Sequence, residues 1–463
     1  MKTIGGWKAS RAMAMGKKSR QEQQPLWVNA TDLMTGPGHP FYEKLSGILA
    51  AGGFDDFVEE KCARFYSPTM GRPSIPPGVY FRALLVGYFE RIGSERGIAW
   101  RCADSLALRS FLGYALDKMP PDHSSISRTR RKLDLETHEE VFGWMLRLLA
   151  DQGLLSGKTL GIDATTLEAN AALRSIVRRD TGDGYREFLE GLAKESGIET
   201  PTREDITKID RKRKGKGSND EWGSPSDPDS GISKMKDGRT RLCHKAEHAV
   251  DMASGAVVAV TLHRGEAGDT SSIGATVEKA AENLASLEAD GKTKKPRVRE
   301  VVTDKGYHSN DTLVDFADKE WRTYASEPRR GKRRWKNRER ERNAVYSNRR
   351  RIRAKRGKAL LRKRGELLER AFTHYLDGGG MRRTHLRRHD NILKRLLVHV
   401  AGFNLGLVMR KLVGCGTPKG LAAALSCLFG RLFALWGAAI RAERVETPKM
   451  RCPAPETPYP AAA

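Results

Sequence analysis

Cysteine is scarce in this sequence and never occurs in a C-x-x-C pair. The six cysteines are scattered over 463 residues, which argues against a disulfide scaffold or a zinc ribbon and favours a reducing cytoplasm. Residues 1–20 are basic but lack the apolar segment of a secretory signal peptide. An apolar stretch at 421–440 is divided by Arg431 into runs too short to span a bilayer. We therefore predict a cytoplasmic protein without membrane contact.

Acidic residues are also in short supply. The chain has 57 Asp and Glu against 83 Lys and Arg, a formal net charge of +26. A hydrophobic fraction of 39% is enough to build cores, so the chain is not a disordered polycation. Its length predicts roughly two to four domains of about 100–200 residues each. So basic a chain indicates an acidic partner, and the commonest one is a nucleic-acid backbone.

Much of this charge lies in one segment. Residues 329–364 contain 19 Lys and Arg but two acids, and so carry +17. We predict that this segment is helical, and like charges four residues apart on a helix repel each other. The density of charge therefore indicates a bound anion. We expect double-stranded DNA, whose phosphates would make binding strongly salt-dependent. The predicted contacts in this segment are Arg333, Arg334, Arg349 and Arg350.

The first third of the chain is predicted to be helical. Residues 1–32 are expected to form a flexible basic terminus, and 33–150 an all-helical domain that binds DNA. Ser94 is expected to cap a helix over 95–112, and Asp122 the next helix. That helix ends in a run of cations, as a recognition helix does, although a surface helix that only packs fits equally well. Its predicted DNA contacts are Arg128, Arg130, Arg131 and Lys132.

Carboxylates follow two predicted strands in the region 155–411. A short apolar strand ends at Asp163, and a later strand, 298–303, ends at Asp304. Two neighbouring strands of this kind would bring their carboxylates to one edge of a sheet, and Glu369 on a following helix would complete the group. Hard oxygen ligands select Mg²⁺ or Mn²⁺, and two such ions about 4 Å apart catalyse phosphoryl displacement. Each acid also has an ordinary structural role open to it, as a strand end, a turn residue or half of a helix-surface pair.

Two segments contain no predicted catalytic residue. The polar stretch 201–240 lacks an apolar period and is predicted to be a long loop or a DNA-contacting arm. Residues 412–463 are predicted to form an apolar helix, suited to self-association, and then a disordered tail rich in Pro and Ala.

Four stretches of the chain resemble bacterial insertion-sequence DDE transposases. Residues 161–182, which begin GIDATTLEAN, are similar to the region of the first Asp, and 301–309 (VVTDKGYHS) to the D-x-G-Y motif of the second. Residues 365–405 resemble the helix of the catalytic Glu, with its E-R-x-F motif, and 71–113 resemble the N-terminal helical domain. Together the resemblance spans roughly residues 40–412.

The resemblance implies an α/β fold, with an RNase H-like mixed sheet flanked by helices and an all-α DNA-binding domain before it. It also implies that Asp163, Asp304 and Glu369 are catalytic and hold two Mg²⁺ or Mn²⁺ ions. The substrate would be transposon-end DNA, cut and transferred by in-line displacement. Because two ends must be brought together, we expect a homodimer, associated with the nucleoid when bound to DNA. Further DNA contacts are expected at Lys305, Arg370, Arg382, Arg383 and Arg387.

The sequence departs from the family pattern at three positions. A related subgroup has Arg four residues before its catalytic Glu and Lys seven residues after it, where this chain has Gly365 and Leu376. Glu366 is therefore a second candidate, but we prefer Glu369 because it begins the E-R-x-F motif. Arg388 stands where the family motif T-H-L-R-G-H has glycine, which predicts a strained turn.

Two other functions fit parts of the sequence. A tyrosine recombinase would use a set such as Arg383, His385 and Tyr375 and would form a covalent phosphotyrosine. A catalytically defective transposase copy would bind DNA with a salt-dependent affinity and cleave none.

Overall fold

The computed structural model describes residues 38–67, 74–213, 217–235, 237–287, 297–329, 331 and 333–423, and single helical positions at 426, 430, 433 and 436. The predicted basic terminus at 1–32 and most of the predicted segment 412–463 lie outside the described residues.

Helices build the N-terminal region. In the described residues they are α1 (Pro40–Ala51), α2 (Phe54–Cys62), α3 (Pro77–Phe89), α4 (Glu95–Asp104), α5 (Leu106–Phe111), α6 (His123–Lys132) and α7 (Leu135–Asp151). As predicted, the side chains of Ser94 and Asp122 cap the helices that follow them. The single helix predicted over 95–112 is instead divided at Ser105, because its side chain accepts a hydrogen bond from Leu108 N and caps α5.

A six-stranded mixed sheet follows the helices. The elements in chain order are β1 (Thr159–Glu168), β2 (Val177–Arg178), α8 (Tyr185–Glu195), α9 (Arg203–Lys212), β3 (Trp222–Gly223), β4 (Gly231–Lys234), β5 (Thr240–Asp251), β6 (Val257–Arg264), α10 (Asp269–Ala285), β7 (Glu300–Thr303), α11 (Asn310–Asp318) and β8 (Arg322–Ala325).

The strands run in the order β6-β5-β1-β7-β8, and β4 pairs with the start of β5. β1 is antiparallel to β5 and parallel to β7, and β7 is parallel to β8. Helix α10 packs on β5 and β6, and a later helix, Lys355–Phe372, packs on β1 and β7. This is the predicted mixed sheet flanked by helices, preceded by an all-helical region. The short strands β2 and β3 form a separate pair.

The insertion at 201–240 is more ordered than its composition predicts, and the prediction of a long loop is wrong. It contains α9, β3 and β4. Trp222 is fully buried in a small core with Ile176, Ile232 and Leu242. One large aromatic ring packed against residues that flank the insertion supplies a core that no local apolar period reveals.

Helices follow the sheet as well. They are α12 (Glu339–Arg353), α13 (Lys355–Phe372), which continues into a π-helical turn at Thr373–Gly378, and α14 (His389–Val413). α14 is buried along most of its length and packs on α3, α7 and β6. One hydrophobic core therefore joins the N-terminal helices to the sheet. The segment His389–Ala423 is long and apolar enough to cross a membrane, but 89% of its most apolar window is buried inside the protein, as in a core helix.

Candidate active site

Asp163 and Asp304 lie next to each other where strand β7 ends. Asp304 directly follows β7, but β1 continues past Asp163 to Glu168 because it pairs there with β5. The prediction that the first strand ends at Asp163 is therefore wrong. In the register of β1 and β7, Gly161 faces Val302, and the two aspartates each follow two residues later. Burial raises the pKa of Asp163 above its usual value, Arg364 opposes this shift, and the negative charge of Asp304 adds to it. The structure therefore brings together the two carboxylates that were predicted to share one sheet edge.

Helix α13 contacts Asp163 directly. The Arg364 guanidinium places Nη1 3.0 Å from Asp163 Oδ2 and donates to the Ile162 carbonyl at 3.1 Å. The helix approaches this closely because Gly161 has no side chain: a Cβ there would lie 3.3 Å from both Arg364 Cγ and Leu368 Cδ1. This ion pair is not predictable from the sequence, because nothing local distinguishes Arg364 from the other cations of its segment.

A tight turn holds Asp304. Its Oδ1 accepts a hydrogen bond from Gly306 N at 2.8 Å. A side chain at Gly306 would collide with the carboxylate of Asp269, the first residue of α10. Tyr307, the next residue of the turn, is buried, and its hydroxyl donates to Glu247 Oε1 at 2.9 Å. The turn is thus fixed at both ends, by a backbone donor and by a buried side chain.

A buried polar cluster next to this turn is centred on Glu247 of β5. Its carboxylate accepts hydrogen bonds from Tyr307, Ser272 and Thr276, and Lys245 Nζ lies 3.7 Å away. Burial raises the pKa of Glu247, and the hydrogen bonds and the Lys245 charge oppose that shift. The cluster was not predicted, although its sequence signal is a Lys and a Glu two residues apart on one face of an apolar strand.

Glu369 lies on the exposed side of α13. Its neighbour Leu368 packs against β1, and the Phe372 ring lies 5.1 Å from that of His248, the cross-strand partner of Asp163. No group of three His, Cys, Asp or Glu side chains suited to a metal ion occurs within the described residues. The structure thus places the two aspartates next to each other, and Glu369 lies on the exposed side of the helix that packs beside them.

Glu366 and Arg370 form an exposed pair one turn apart on α13. The distance between Glu366 Oε1 and Arg370 Nη2 is 2.7 Å. The second candidate for the catalytic Glu therefore already has a cationic partner on its own helix, and the predicted DNA contact Arg370 lies on the outer surface.

Tyr375 is inaccessible. Its side chain has no exposed surface, and burial holds the pKa of its hydroxyl well above the usual value. Its ring lies 5.1 Å from that of His248, whose pKa burial lowers to about 3. The tyrosine recombinase alternative, which requires this hydroxyl to reach DNA, is therefore not supported.

Three predicted DNA contacts lie along β1 beyond Asp163. Arg382, Arg383 and Arg387 are exposed, as is Lys305 beside Asp304. The arginines contact successive positions of β1 and the residues after it. Arg382 donates to Thr165 Oγ1 at 2.7 Å, and Arg387 donates to the Asn170 carbonyl at 3.1 Å. Arg383 Nε lies 3.7 Å from Glu168 Oε1.

The four predicted contacts of α6 do not share one surface. Arg130 is buried, four residues after the buried Ile126, and its guanidinium pairs with Glu95 of α4. Because the helical period places Arg130 on the inner face of α6, its side chain joins two helices. The prediction that Arg130 contacts DNA is therefore corrected. The remaining three cations are exposed: Arg128, Arg131 and Lys132.

Many cations of the basic segment bind the protein itself. Arg349 and Arg333 share Glu327, with Nη2 2.6 and 3.7 Å from its Oε1. Arg351 donates to the Thr323 carbonyl of β8 at 2.8 Å. Part of the positive charge thus fastens α12 to the edge of the sheet, and part faces outward. Two of the four predicted contacts are exposed: Arg334 and Arg350.

Arg388 has the strained backbone that was predicted. Its φ of 70° and ψ of 140° lie in a region that residues with a Cβ rarely adopt. Hydrogen bonds hold it there: Arg388 N donates to Asp227 at 2.9 Å, and His389 N to Asp229 at 3.0 Å. Asp227 is itself buried and bound by His244 at 3.0 Å. The insertion therefore fixes the start of α14.

Two family models match the chain. One, described as "Transposase domain (DUF772)", matches residues 30–132, and the other, described as "Transposase DDE domain", matches residues 162–405. No curated protein matches it. The second model covers more than half of the 463 residues and includes the three predicted catalytic acids. The chain therefore belongs to the family of insertion-sequence DDE transposases.

Proposed function

We propose that this transposase binds the terminal inverted repeats of an insertion sequence and cuts and joins DNA by metal-dependent in-line displacement. The observation that supports this is the adjacency of Asp163, within β1, and Asp304, directly after the parallel strand β7. Two carboxylates this close repel each other, and a divalent cation between them would remove the repulsion.

The donor set suits Mg²⁺ or Mn²⁺. The oxygens of Asp163 and Asp304 are hard ligands, and Asp163 already binds a cationic side chain, that of Arg364, at 3.0 Å. Glu369 would be the third ligand, reached when its exposed side chain turns towards the strands that the same helix contacts. Two bound ions would activate the attacking oxygen and stabilise the leaving oxygen.

The protein's own groups orient these ligands. Gly306 N holds one oxygen of Asp304, and the bond from Tyr307 to Glu247 holds the turn. Lys245 Nζ lies 2.7 Å from Asp269 Oδ1, so it neutralises a carboxylate that would otherwise compete for the cation.

The exposed cations would hold the DNA. Phosphate contacts position a duplex without reading its sequence, and cations near the carboxylate edge are suited to this: Lys305, Arg382, Arg383 and Arg387. On the N-terminal region, Arg128, Arg131 and Lys132 would bind the terminal repeat. We further propose that two copies, each holding one end, form the synaptic complex on the nucleoid.

The test is Mg²⁺-dependent cleavage of a duplex that carries the element's own end. Asp163→Asn and Asp304→Asn should each lower the cleavage rate at least a thousandfold and leave DNA binding intact, and Glu369→Gln should do the same. Glu366→Gln is the matched control, because it removes a carboxylate from the same helix and should keep near wild-type activity. Full cleavage by Asp163→Asn would overturn the mechanism.

The strained backbone at Arg388 is the one reason to test a second function, that of a catalytically defective copy. A copy that folds imperfectly around this turn would bind DNA ends and cleave none. Restoring glycine distinguishes the two functions: if the wild type is inactive and Arg388→Gly cleaves, the chain is a defective copy of an active enzyme.

A further inference from the structure

A cavity of about 150 Å³ lies between the α3–α4 turn and the segment that leads into α14. Its wall includes Ser94, Glu95, His385, Leu386 and Arg395, and none of the three predicted catalytic acids. Its volume is below the range of about 300–1,000 Å³ typical of pockets for larger ligands, so it suits a small group.

Arg395 contributes a buried cation to the wall. The residue is 3% exposed, and its Nη2 donates to the Ile92 carbonyl at 3.2 Å. Its Nε and Nη1 are buried without a hydrogen-bond partner in the part of the chain that the structure describes. Buried donors are almost always paired, and a guanidinium offers five N–H groups in a planar fork that matches the oxygens of a phosphate.

The buried charges around Arg395 do not balance. Glu95 pairs with the Arg130 guanidinium, and it is also the carboxylate whose charge acts most on Arg395. Two buried guanidinium groups thus share one carboxylate. Lys394, next along α14, is buried as well and donates to the carbonyls of Arg130 and Leu133. Burial lowers the pKa of Arg395 to about 10, so it still carries its charge at neutral pH.

Helix α4 begins at the same cavity. Ser94 is its cap and Glu95 its first residue, and the N-terminus of a helix carries a partial positive charge that favours anions. The carboxylate of Glu95 also lies in the wall, but the Arg130 guanidinium bound to it offsets its charge.

We propose that this cavity binds a phosphate group. The cavity has the size of a small anion, and it is lined by the start of α4 and by Arg395, a buried cation with two unpaired nitrogens. The source of the phosphate is either the backbone of bound DNA, in which case this inference rests on the proposed function, or free inorganic phosphate.

The first test is thermal unfolding of the full chain in increasing inorganic phosphate, with sodium chloride keeping the ionic strength constant. The wild type should show a saturable rise in Tm. Leu386→Trp, which fills the cavity, should lose at least two thirds of that rise. The control Leu412→Trp introduces the same ring at the exposed far end of α14 and should keep it. Arg395→Lys, which keeps the charge but loses the fork, should need at least tenfold more phosphate.

The second test identifies the source. For a duplex carrying the element's end, each phosphate contact contributes about 0.9 to the slope of log affinity against log salt. A slope lower by about this amount in Leu386→Trp, but not in Leu412→Trp, assigns the site to a DNA phosphate. If Leu386→Trp loses the phosphate-dependent rise in Tm but its salt slope is unchanged, the site is assigned to free phosphate.

The proposal is overturned if phosphate raises Tm no more than chloride does, or if Leu386→Trp keeps the full rise. Asp163→Asn should retain the phosphate-dependent shift even though it abolishes cleavage under the proposed function. Failure of the anion site and failure of the catalytic assignment are therefore distinguishable.

Discussion

Arg364 of α13 and Asp163 of β1 form an ion pair, with 3.0 Å between Nη1 and Oδ2. The pair joins the most basic segment of the chain to the carboxylate edge of the sheet. Burial raises the pKa of Asp163, and the positive charge of Arg364 opposes that shift. A metal ion that binds Asp163 must compete with this guanidinium.

Replacing Arg364 with methionine should lower the Mg²⁺ concentration needed for half-maximal cleavage several-fold, because the competing charge is gone. The same change should reduce the free energy of unfolding by about 1–3 kcal/mol, since a half-buried carboxylate loses its partner. Mg²⁺ titration of cleavage and urea unfolding measure the two effects. Arg362→Met, an exposed position on the same helix, is the control. A higher Mg²⁺ requirement in Arg364→Met would contradict the competition.

Tyr307→Phe should impair cleavage more than DNA binding. It removes the hydroxyl that donates to Glu247 at 2.9 Å and leaves that buried carboxylate with one donor fewer, at a cost of about 1–3 kcal/mol in unfolding free energy. The freed turn would hold Asp304 less rigidly, so kcat should fall while the affinity for DNA stays constant. Tyr346→Phe removes a hydroxyl from a side chain that is 45% exposed and should change neither quantity. Equal losses in both variants would exclude a role for the buried bond.

Arg388→Gly should stabilise the protein by about 1 kcal/mol. The backbone at this position has φ 70° and ψ 140°, and glycine removes the strain of such a conformation, about 1–3 kcal/mol, at a smaller cost in chain entropy. The bond from the backbone N–H to Asp227 does not depend on the side chain and should persist. Urea denaturation measures the gain. Arg387→Gly is the neighbouring control, and a gain of the same size there would point to removal of charge instead.

His248→Phe should flatten the acid dependence of stability. Burial lowers the folded-state pKa of His248 to about 3, against about 6.5 in an unfolded chain. Between these values the unfolded state binds one more proton, so the stability present above pH 6.5 is lost as the pH falls. The loss amounts to about 1.4 kcal/mol per pH unit.

Urea unfolding at pH 4.5, 5.5 and 6.5 measures this slope, and the variant should show a slope smaller by that amount. The control is His123→Phe, at an exposed position that should leave the slope unchanged. An unaltered slope in His248→Phe would show that the buried imidazole does not resist protonation.

Relations over a few residues were predictable from the sequence. Ser94 and Asp122 cap their helices because a side-chain oxygen reaches an N–H group two or three residues on, wherever the helix lies. Asp304 follows a short apolar strand as predicted, whereas β1 continues past Asp163 because its second half pairs with the distant strand β5. The presence of Arg388 where the family motif has glycine predicted a strained turn, because a residue with a Cβ disfavours that backbone conformation wherever the turn lies.

Relations between distant segments were decided by the tertiary structure. The sequence contains 19 clustered cations, and the one that binds Asp163 is selected by the way α13 crosses β1. That crossing requires the absence of a side chain at Gly161. From the sequence, Arg130 is predicted to contact DNA, but in the folded protein its guanidinium pairs with Glu95. The order of the 201–240 insertion depends on Trp222 packing against residues outside it.

The scarcity of acids against Lys and Arg indicated a nucleic-acid partner from composition alone, because net charge is independent of folding. Only the folded chain divides those cations into ones that face outward and ones that bind carboxylates and carbonyls of the protein. An ion pair requires atoms within about 4 Å, and residues such as Arg364 and Asp163, 201 positions apart, reach that distance only through packing.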